Sequence, residues 1–379
     1  MENRAGKTAL VPGKGYKAFE PNKLPPIPAL ELKEEVLTMI GEANRLLGKL
    51  DGLSLNIPDM NLFIGSYVRK EALMSSQIEG TQTSLVDVLD PSNEETSNMD
   101  ILDVIKYTKA LNYAIERLKT FPLCNSLLKN THKVLLTETR GHEKNPGEFR
   151  TSQNWIGAAG CTLNNARYVP PTPEYMIEAM SDLEKYFNND DNIDPIVKAA
   201  LVHYQFETIH PFLDGNGRMG RMLIVLNLMN SKVLTYPILY ISYHLKKNRV
   251  EYYDRLEEVR LKGNYEQWVK FFLQAVIETC KDSIQTIEEL SILREKNNKL
   301  IKDEKKSILR VYSYLEKNPI IDIQKTAKDL GISYNTVATA VKRLCELKIL
   351  KQETTALRNK VFHYENYVNI LKRDTDNLN

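Results

Sequence analysis

The chain has 379 residues, 42% hydrophobic and 26% charged, which leaves room for two or three domains and matches an ordinary globular composition rather than a disordered or fibrous one. Its 51 Lys and Arg against 49 Asp and Glu give a net charge of +2, so the whole chain offers no electrostatic case for nucleic acid or membrane. That total hides a split: residues 294–379 hold 18 Lys and Arg against 11 Asp and Glu, and residues 1–293 hold 33 against 38, which predicts different partners for the two parts. The start, Met1-Glu-Asn-Arg-Ala-Gly-Lys7, lacks the apolar stretch of a signal peptide, and the apolar run Met222–Met229 is too short to cross a bilayer. Cys124, Cys161, Cys280 and Cys345 lie far apart with no CxxC. We therefore expect a cytoplasmic protein with no membrane partner, no disulfides and no structural zinc.

Residues 1–30 carry five prolines, including Pro25-Pro26 and Pro28, and read as an extended arm. From Leu30, the positions Leu32, Val36, Ile40, Ala43 and Leu47 recur at helical spacing. A second amphipathic stretch follows Pro58-Asp59 through Leu62, Ile64, Tyr67, Val68 and Leu73 towards Ile78. Pro91 and the polar segment 92–98 form a loop, after which Asp100 is expected to cap another helix. Further helices are predicted around 101–118, 123–138 and 173–188. Between them lies one non-helical island, 145–171, where Trp155-Ile-Gly157, Asn164-Asn165 and Tyr168-Val169 predict two short strands about an Asn-rich turn, closed by Pro170-Pro171. Residues 284–306 form a charged helical bridge into a C-terminal unit of three helices (305–317, 322–330 and 333–347) and two strands within 349–364. Gly331-Ile-Ser333 makes the turn there, with Ser333 as N-cap. Other strand signals are lacking, so the fold class is mainly α.

The chemistry is densest in His210-Pro-Phe-Leu-Asp-Gly-Asn-Gly-Arg-Met-Gly-Arg221. Gly215, Asn216 and Gly217 allow a tight turn that presents N–H groups to an anion, and a helix starting there adds its positive end. Arg218 and Arg221, three apart, project from one face of the first turn. Asp214 supplies a hard oxygen suited to magnesium on phosphates, and His210 can take a proton near neutral pH. Together they point to transfer of a phosphate-containing group to a hydroxyl. Gly215-x-Gly217-x-x-Gly220 also matches the dinucleotide fingerprint, but no strand precedes it and no βαβ pattern surrounds it. The protein-kinase set of Val-Ala-Ile-Lys, His-Arg-Asp and Asp-Phe-Gly is not present. His203 has no third ligand at metal spacing and is expected to be a satisfied core residue or one that supports the site's residues from behind.

The run His-Pro-Phe-x-Asp-Gly-Asn-Gly-Arg-x-x-Arg at 210–221 resembles, without departure, the signature of the Fic (Fido) family of protein adenylyltransferases. Gly147-x-x-Arg150-x-x-Gln153-Asn-Trp-Ile-Gly157 and Ala166-Arg-Tyr-Val-Pro-Pro171 resemble the family's β-hairpin flap, and Leu24-Pro-Pro26 with the helix after it resembles its N-terminal extension. The resemblance implies a helical Fic core in which His210 deprotonates a Tyr, Thr or Ser hydroxyl of a target protein that attacks the α-phosphate of ATP. It implies that Asp214 holds Mg2+ and that Gly215, Asn216, Gly217, Arg218, Gly220 and Arg221 bind the phosphates, with Arg221 on the γ-phosphate. Family members that act as kinases carry Lys where this chain has Gly217, so AMP transfer is expected. The flap, through Thr162, Leu163, Asn164, Asn165, Ala166 and Arg167, would take the target segment as an added strand. Tyr252 and Tyr253 match an aromatic pair on the adenine side in relatives, with core packing as the alternative.

Ser75-Ser-Gln-Ile-Glu79-Gly80 resembles the family's inhibitory motif, in which Glu79 would pair with Arg221 and remove the γ-phosphate clamp. Relatives with this glutamate can also run the reverse reaction, removal of AMP. At the C-terminal end, 322–344 resembles a helix-turn-helix with 350–364 as its wing. Tyr334, Asn335, Thr336, Thr339, Lys342, Arg358 and Lys360 would form its DNA-binding face, protein contact being the alternative. The expected division is an N-terminal region with the inhibitory motif (1–100), a Fic catalytic domain (101–290), and a linker helix with a winged helix-turn-helix (291–379). A second function is carried beside the first, a DNA-binding transcriptional regulator whose Fic core senses ATP. Self-modification and homodimerisation stay open.

Overall fold

The computed structural model describes residues 3–56, 60–93, 97–158, 160–353 and 360–373. In chain order these form β1 (Gly6–Leu10), β2 (Lys17–Pro21), α1 (Glu34–Asn56), α2 (Met60–Ile78), α3 (Leu85–Leu89), α4 (Met99–Leu118), α5 (Asn125–Leu136), α6 (Pro173–Phe187), α7 (Pro195–Ile209), α8 (Asn216–Asn230), α9 (Ser242–Lys247), α10 (Arg249–Lys262), α11 (Tyr265–Ile301), α12 (Lys306–Lys317), β3 (Ile320–Asp322), α13 (Ile323–Leu330), α14 (Tyr334–Glu346), β4 (Lys351–Gln352), β5 (Val361–His363) and α15 (Glu365–Lys372). The fold is mainly helical, as the periodicities predict. It divides into two compact units: Met1–Gly48, Lys109–Thr235 and Lys247–Glu278 form one, and Lys49–Thr108, Tyr236–Lys246 and Thr279–Asn379 the other.

The first unit is organised around α7. Asp194 caps its start, accepting from the N–H groups of Ile196 (2.9 Å) and Val197 (3.3 Å), and Pro195 occupies the first helical position, where a missing N–H costs nothing. Every side chain from Ile196 to Ile209 is buried, because α6 and α8 pack on α7 and the Trp268 indole donates to Ala200 C=O at 2.9 Å. The N-terminal arm is not merely extended. β1 and β2 form an antiparallel hairpin, in register from Gly6↔Pro21 to Leu10↔Lys17, because Pro12-Gly13 turns the chain and Val11 N–H closes on Tyr16 C=O at 2.9 Å. In the flap the two expected strands reduce to a single antiparallel bridge, Ile156↔Tyr168, among the described residues. Its apices hold themselves by side chains instead: Asn165 Oδ1 accepts from Thr162 N–H at 2.6 Å, and the Trp155 indole donates to Cys161 C=O at 3.1 Å.

In the second unit α2 buries Glu71, whose carboxylate accepts from Ser242 N–H (3.2 Å), the Ser242 hydroxyl and the Tyr107 hydroxyl (3.3 Å). The helix expected to be capped by Asp100 starts one residue earlier, and Asn98 is the acceptor, 2.9 Å from Asp100 N–H. The charged bridge belongs to α11, a single helix of 37 residues. Beyond it α12, α13 and α14 pack through Ala327, Val337, Val341 and Leu344, and Ser333 caps α14 by accepting from Thr336 N–H at 3.2 Å. The sheet has three strands rather than two, in the order β3-β5-β4. Ile320-Ile321-Asp322 is too short for a period to register, and Asp322 also serves as N-cap of α13, accepting from Lys325 N–H at 2.7 Å.

Candidate active site

All the geometry of this site lies within the first unit. α7 ends at His210, which takes a left-handed conformation (φ 52°, ψ 60°) as C-cap, its N–H donating to Phe206 C=O at 2.9 Å. Its ring is half-buried, and Nδ1–H donates to Glu207 C=O at 3.3 Å, which makes Nε2 the basic nitrogen. The loop then turns into α8 through Gly215 (φ 74°), a conformation that favours glycine. No side chain caps α8, so the first-turn N–H groups of Asn216, Gly217 and Arg218 are available to an anion. Asn216 spends its side chain on the loop: Oδ1 accepts from Phe212 N–H and Nδ2 donates to Phe212 C=O, both at 2.8 Å. Arg218 and Arg221 are both buried, and Arg218 Nη2 lies 3.9 Å from Asp214 Oδ1. The Asp214 side chain is 44% exposed.

Two histidines flank this loop, each with both nitrogens used. His132 accepts from Gly147 N–H at Nδ1 (2.9 Å), donates to Asp214 C=O from Nε2 (3.0 Å) and stacks on Phe212 with centroids 3.7 Å apart. Burial pushes its pKa down to about 4. His203 donates to Gly220 C=O from Nδ1 (2.9 Å) and accepts from the Tyr252 hydroxyl at Nε2 (2.8 Å), and burial pushes its pKa down to about 3. It is the satisfied core residue the sequence suggests. Gly220 faces α7; a Cβ there would lie 2.4 Å from Glu207 Oε1. The arrangement offers a base, a helix-end anion cradle, two guanidiniums and a carboxylate around one loop.

Residues 122–228 match the Fic/DOC family and 37–116 match its N-terminal domain. The chain belongs to the Fic/DOC family. Residues 305–351 match a winged helix-turn-helix DNA-binding family. Among curated relatives, the protein adenylyltransferase fic-1 of Caenorhabditis elegans is 31% identical over 163 residues, 42% of this chain and 29% of that one. A probable protein adenylyltransferase of Aquifex aeolicus is 24% identical over 299 residues, 77% of this chain and 84% of that one. The chain spans less than half the length of the first curated relatives it matches. A crystal structure of a Fic family protein from Desulfovibrio desulfuricans G20 shares the fold, with a TM-score of 0.59 at 18% identity over 88% of this chain and 97% of that one.

In the Fic flap, Thr162, Asn164, Asn165 and Arg167 are exposed, and Leu163 and Ala166 half-buried. Arg167 is held by carboxylates of α10, at 2.8 Å from Asp254 Oδ1 and paired with Glu257. Tyr168, further down the same arm, donates its hydroxyl to Thr208 C=O at 2.6 Å. Of the aromatic pair expected on the adenine side, Tyr252 is wholly buried beside Trp268 and His203, and only Tyr253 reaches the surface, under Arg249. In the second unit Ser75 is buried in α2, while Glu79 lies just past the helix and is exposed, and Gly80 has φ 98°. On the winged helix Tyr334, Asn335, Thr339, Lys342 and Lys360 are exposed and Thr336 half-buried; Arg358 lies outside the described residues. Sequence reasoning missed His132, and saw Arg150 and Asn154 only as letters of the expected flap pattern. Their partners are backbone groups far along the chain, which leave no local signal.

Proposed function

We propose that this protein is an adenylyltransferase that moves AMP from ATP to a Tyr, Thr or Ser hydroxyl of a target protein. The observation that carries the reading is a basic His210 Nε2 at the end of α7, beside the uncapped start of α8 with its two buried arginines. The target oxygen attacks the α-phosphorus, the bond to the β-phosphate oxygen breaks, diphosphate leaves, and His210 takes the hydroxyl proton. The N–H groups of Asn216, Gly217 and Arg218 hold phosphate oxygens, Gly215 makes the turn with its own N–H donated to Asp214 Oδ1 at 2.6 Å, and Arg221 grips the γ-phosphate. Gly220 lets α8 lie close enough to α7 for that grip. The names of the worm and Aquifex relatives carry the same activity.

Asp214 fits a magnesium ion: it is a hard oxygen donor, partly exposed, at the phosphate end of the loop. Among the described residues no group of three or more His, Cys, Asp or Glu could hold a metal by itself, so phosphate oxygens and water would complete the shell. Bound there, the ion neutralises phosphate charge.

The flap segment 162–167 takes the target chain, and Glu79, paired with Arg221, holds the enzyme off by removing the γ-phosphate clamp. The same glutamate, orienting water, would serve removal of AMP. The division into 1–100, 101–290 and 291–379 follows from this reading. The winged helix, through Tyr334, Asn335, Thr336, Thr339, Lys342, Arg358 and Lys360, binds DNA, a role favoured by the family match at 305–351. Among the described residues no helix is long and apolar enough to cross a membrane, and the four cysteines are free, in keeping with a cytoplasmic setting.

The test is transfer of label from ATP carrying it on the α-phosphate into the proteins of a lysate. Glu79→Gly raises labelling above wild type and His210→Ala abolishes it. Absence of labelled protein with wild type and Glu79→Gly alike would refute the reaction, and equal labelling by the two would refute the brake.

A further inference from the structure

We propose that Arg150 and Asn154, at the base of the flap, are positioning residues for His210, so that the flap and the catalytic base form one mechanical piece. The inference deepens the reading of the same site and rests on it. His210 is not glycine, yet it sits in the left-handed region, a conformation that persists only where surrounding contacts over-determine it. Those contacts come from the flap. The His210 carbonyl accepts from Arg150 Nε (3.0 Å) and from Asn154 Nδ2 (3.2 Å). Arg150 also takes the carbonyls on either side, Ile209 C=O from Nη2 (3.4 Å) and Pro211 C=O from its own N–H (2.9 Å). Asn154 Nδ2 reaches Phe212 C=O at 2.9 Å. Four successive carbonyls, 209 to 212, are thus fixed by two side chains and one N–H of the flap base.

The same Arg150 guanidinium binds the two arms of the flap together, donating to Ser152 C=O (3.3 Å) and to Pro171 C=O. It is 2% exposed, and its planar fork of donors suits several carbonyls at once, which the single ammonium of lysine cannot serve. A target strand laid on the flap is therefore registered against the backbone that aims the imidazole. Neither residue reaches the anion cradle at the start of α8, where Asn216 and His132 shape the loop. Losing the clamp should accordingly harm the chemical step more than nucleotide binding.

The experiment uses the full chain with Asn154→Leu, which keeps the branched four-atom shape and removes the donors, with Asn154→Gln, which keeps the donors, and with Arg150→Lys. kcat and KM for ATP are read from AMP transfer. Independently of activity, the ring signals of the six histidines are recorded by NMR on histidine-labelled protein, with His210 identified by its loss in His210→Ala. Displacement of a reacting group by about 1 Å costs on the order of 100-fold, so Asn154→Leu and Arg150→Lys should lower kcat by about that factor and leave KM for ATP within about threefold. In both, the His210 signal shifts or broadens while the His203 signal stays. Asn154→Gln recovers most of kcat. An unmoved His210 signal, or an unchanged kcat in an active parent, overturns the proposal. A parent without AMP transfer counts against the reaction instead, and the His210 signal still decides the positioning.

Discussion

Gly220→Ala separates two opposite expectations. Gly220 is in the first turns of α8, and in a helix interior alanine is favoured over glycine by about 1 kcal/mol, so local preference predicts a more stable protein. The structure predicts the reverse. The added Cβ would lie 2.4 Å from Glu207 Oε1, 3.2 Å from Glu207 Cδ and 3.3 Å from His203 Cε1. The Glu207 carboxylate and the His203 ring are buried in α7, so the clash is relieved by turning that carboxylate aside within a packed interior or by moving α8 away from α7 by a few tenths of an ångström. Overpacking of this kind costs about 1–3 kcal/mol, which offsets the helical gain of about 1 kcal/mol and leaves a net change between about zero and a loss of about 2 kcal/mol. Thermal unfolding followed by circular dichroism should show no rise in the midpoint and a fall of up to roughly 5 °C. Because Arg218 and Arg221 ride on α8, ATP affinity should fall in parallel, measured by calorimetry. A variant more stable than the parent would refute the packing argument, since that gain is what helix preference alone predicts.

The buried His203 gives a pH prediction. Its pKa, lowered from 6.5 to about 3, means that below pH 6.5 the unfolded chain binds a proton that the folded chain refuses, so stability is complete above pH 6.5 and falls as the pH drops towards 3. At pH 5 the cost is about 2 kcal/mol, visible as a lower urea midpoint, and a flat profile between pH 7 and 5 would contradict it. For the winged helix, Lys342→Glu in the full chain should weaken DNA binding in a gel-shift series and flatten its dependence on salt, whereas binding of neither form at any salt would remove the DNA role.

How much of this was legible in the chain follows from the range of the contacts. The run from His210 to Arg221 announces its chemistry because its parts are neighbours in sequence, and the winged helix follows from local periodicity and from the cap Ser333, whereas α7, buried on every side, shows no period. The β1–β2 hairpin was hidden by attention to prolines, although Pro12-Gly13 between Leu10-Val11 and Tyr16 is a turn signal. β3 is too short to show a period and exists because β5 pairs with it across some forty residues. Arg150, Asn154 and His132 bind backbone groups 56–82 residues away, and no pattern of side chains encodes an acceptor that every residue possesses. The split in charge pointed to two jobs, but the first unit holds its cations locally, on the first turns of α8.

The hairpin at the start of the chain also sets a timetable. Asn3 Nδ2 donates to Arg260 C=O at 2.7 Å, Arg4 Nε donates to Gly263 C=O at 2.6 Å, and Arg4 pairs with Glu266, partners some 260 residues apart. Phe19 N–H, on the second strand, meets Val169 C=O at the flap base at 3.0 Å. At about 5–20 residues per second, a ribosome needs roughly 13–50 s to make the second half of these pairs after the first. Asn3 and Arg4 thus leave the ribosome long before they can find their places, and the flap is without its full buttress until α11 has begun to emerge.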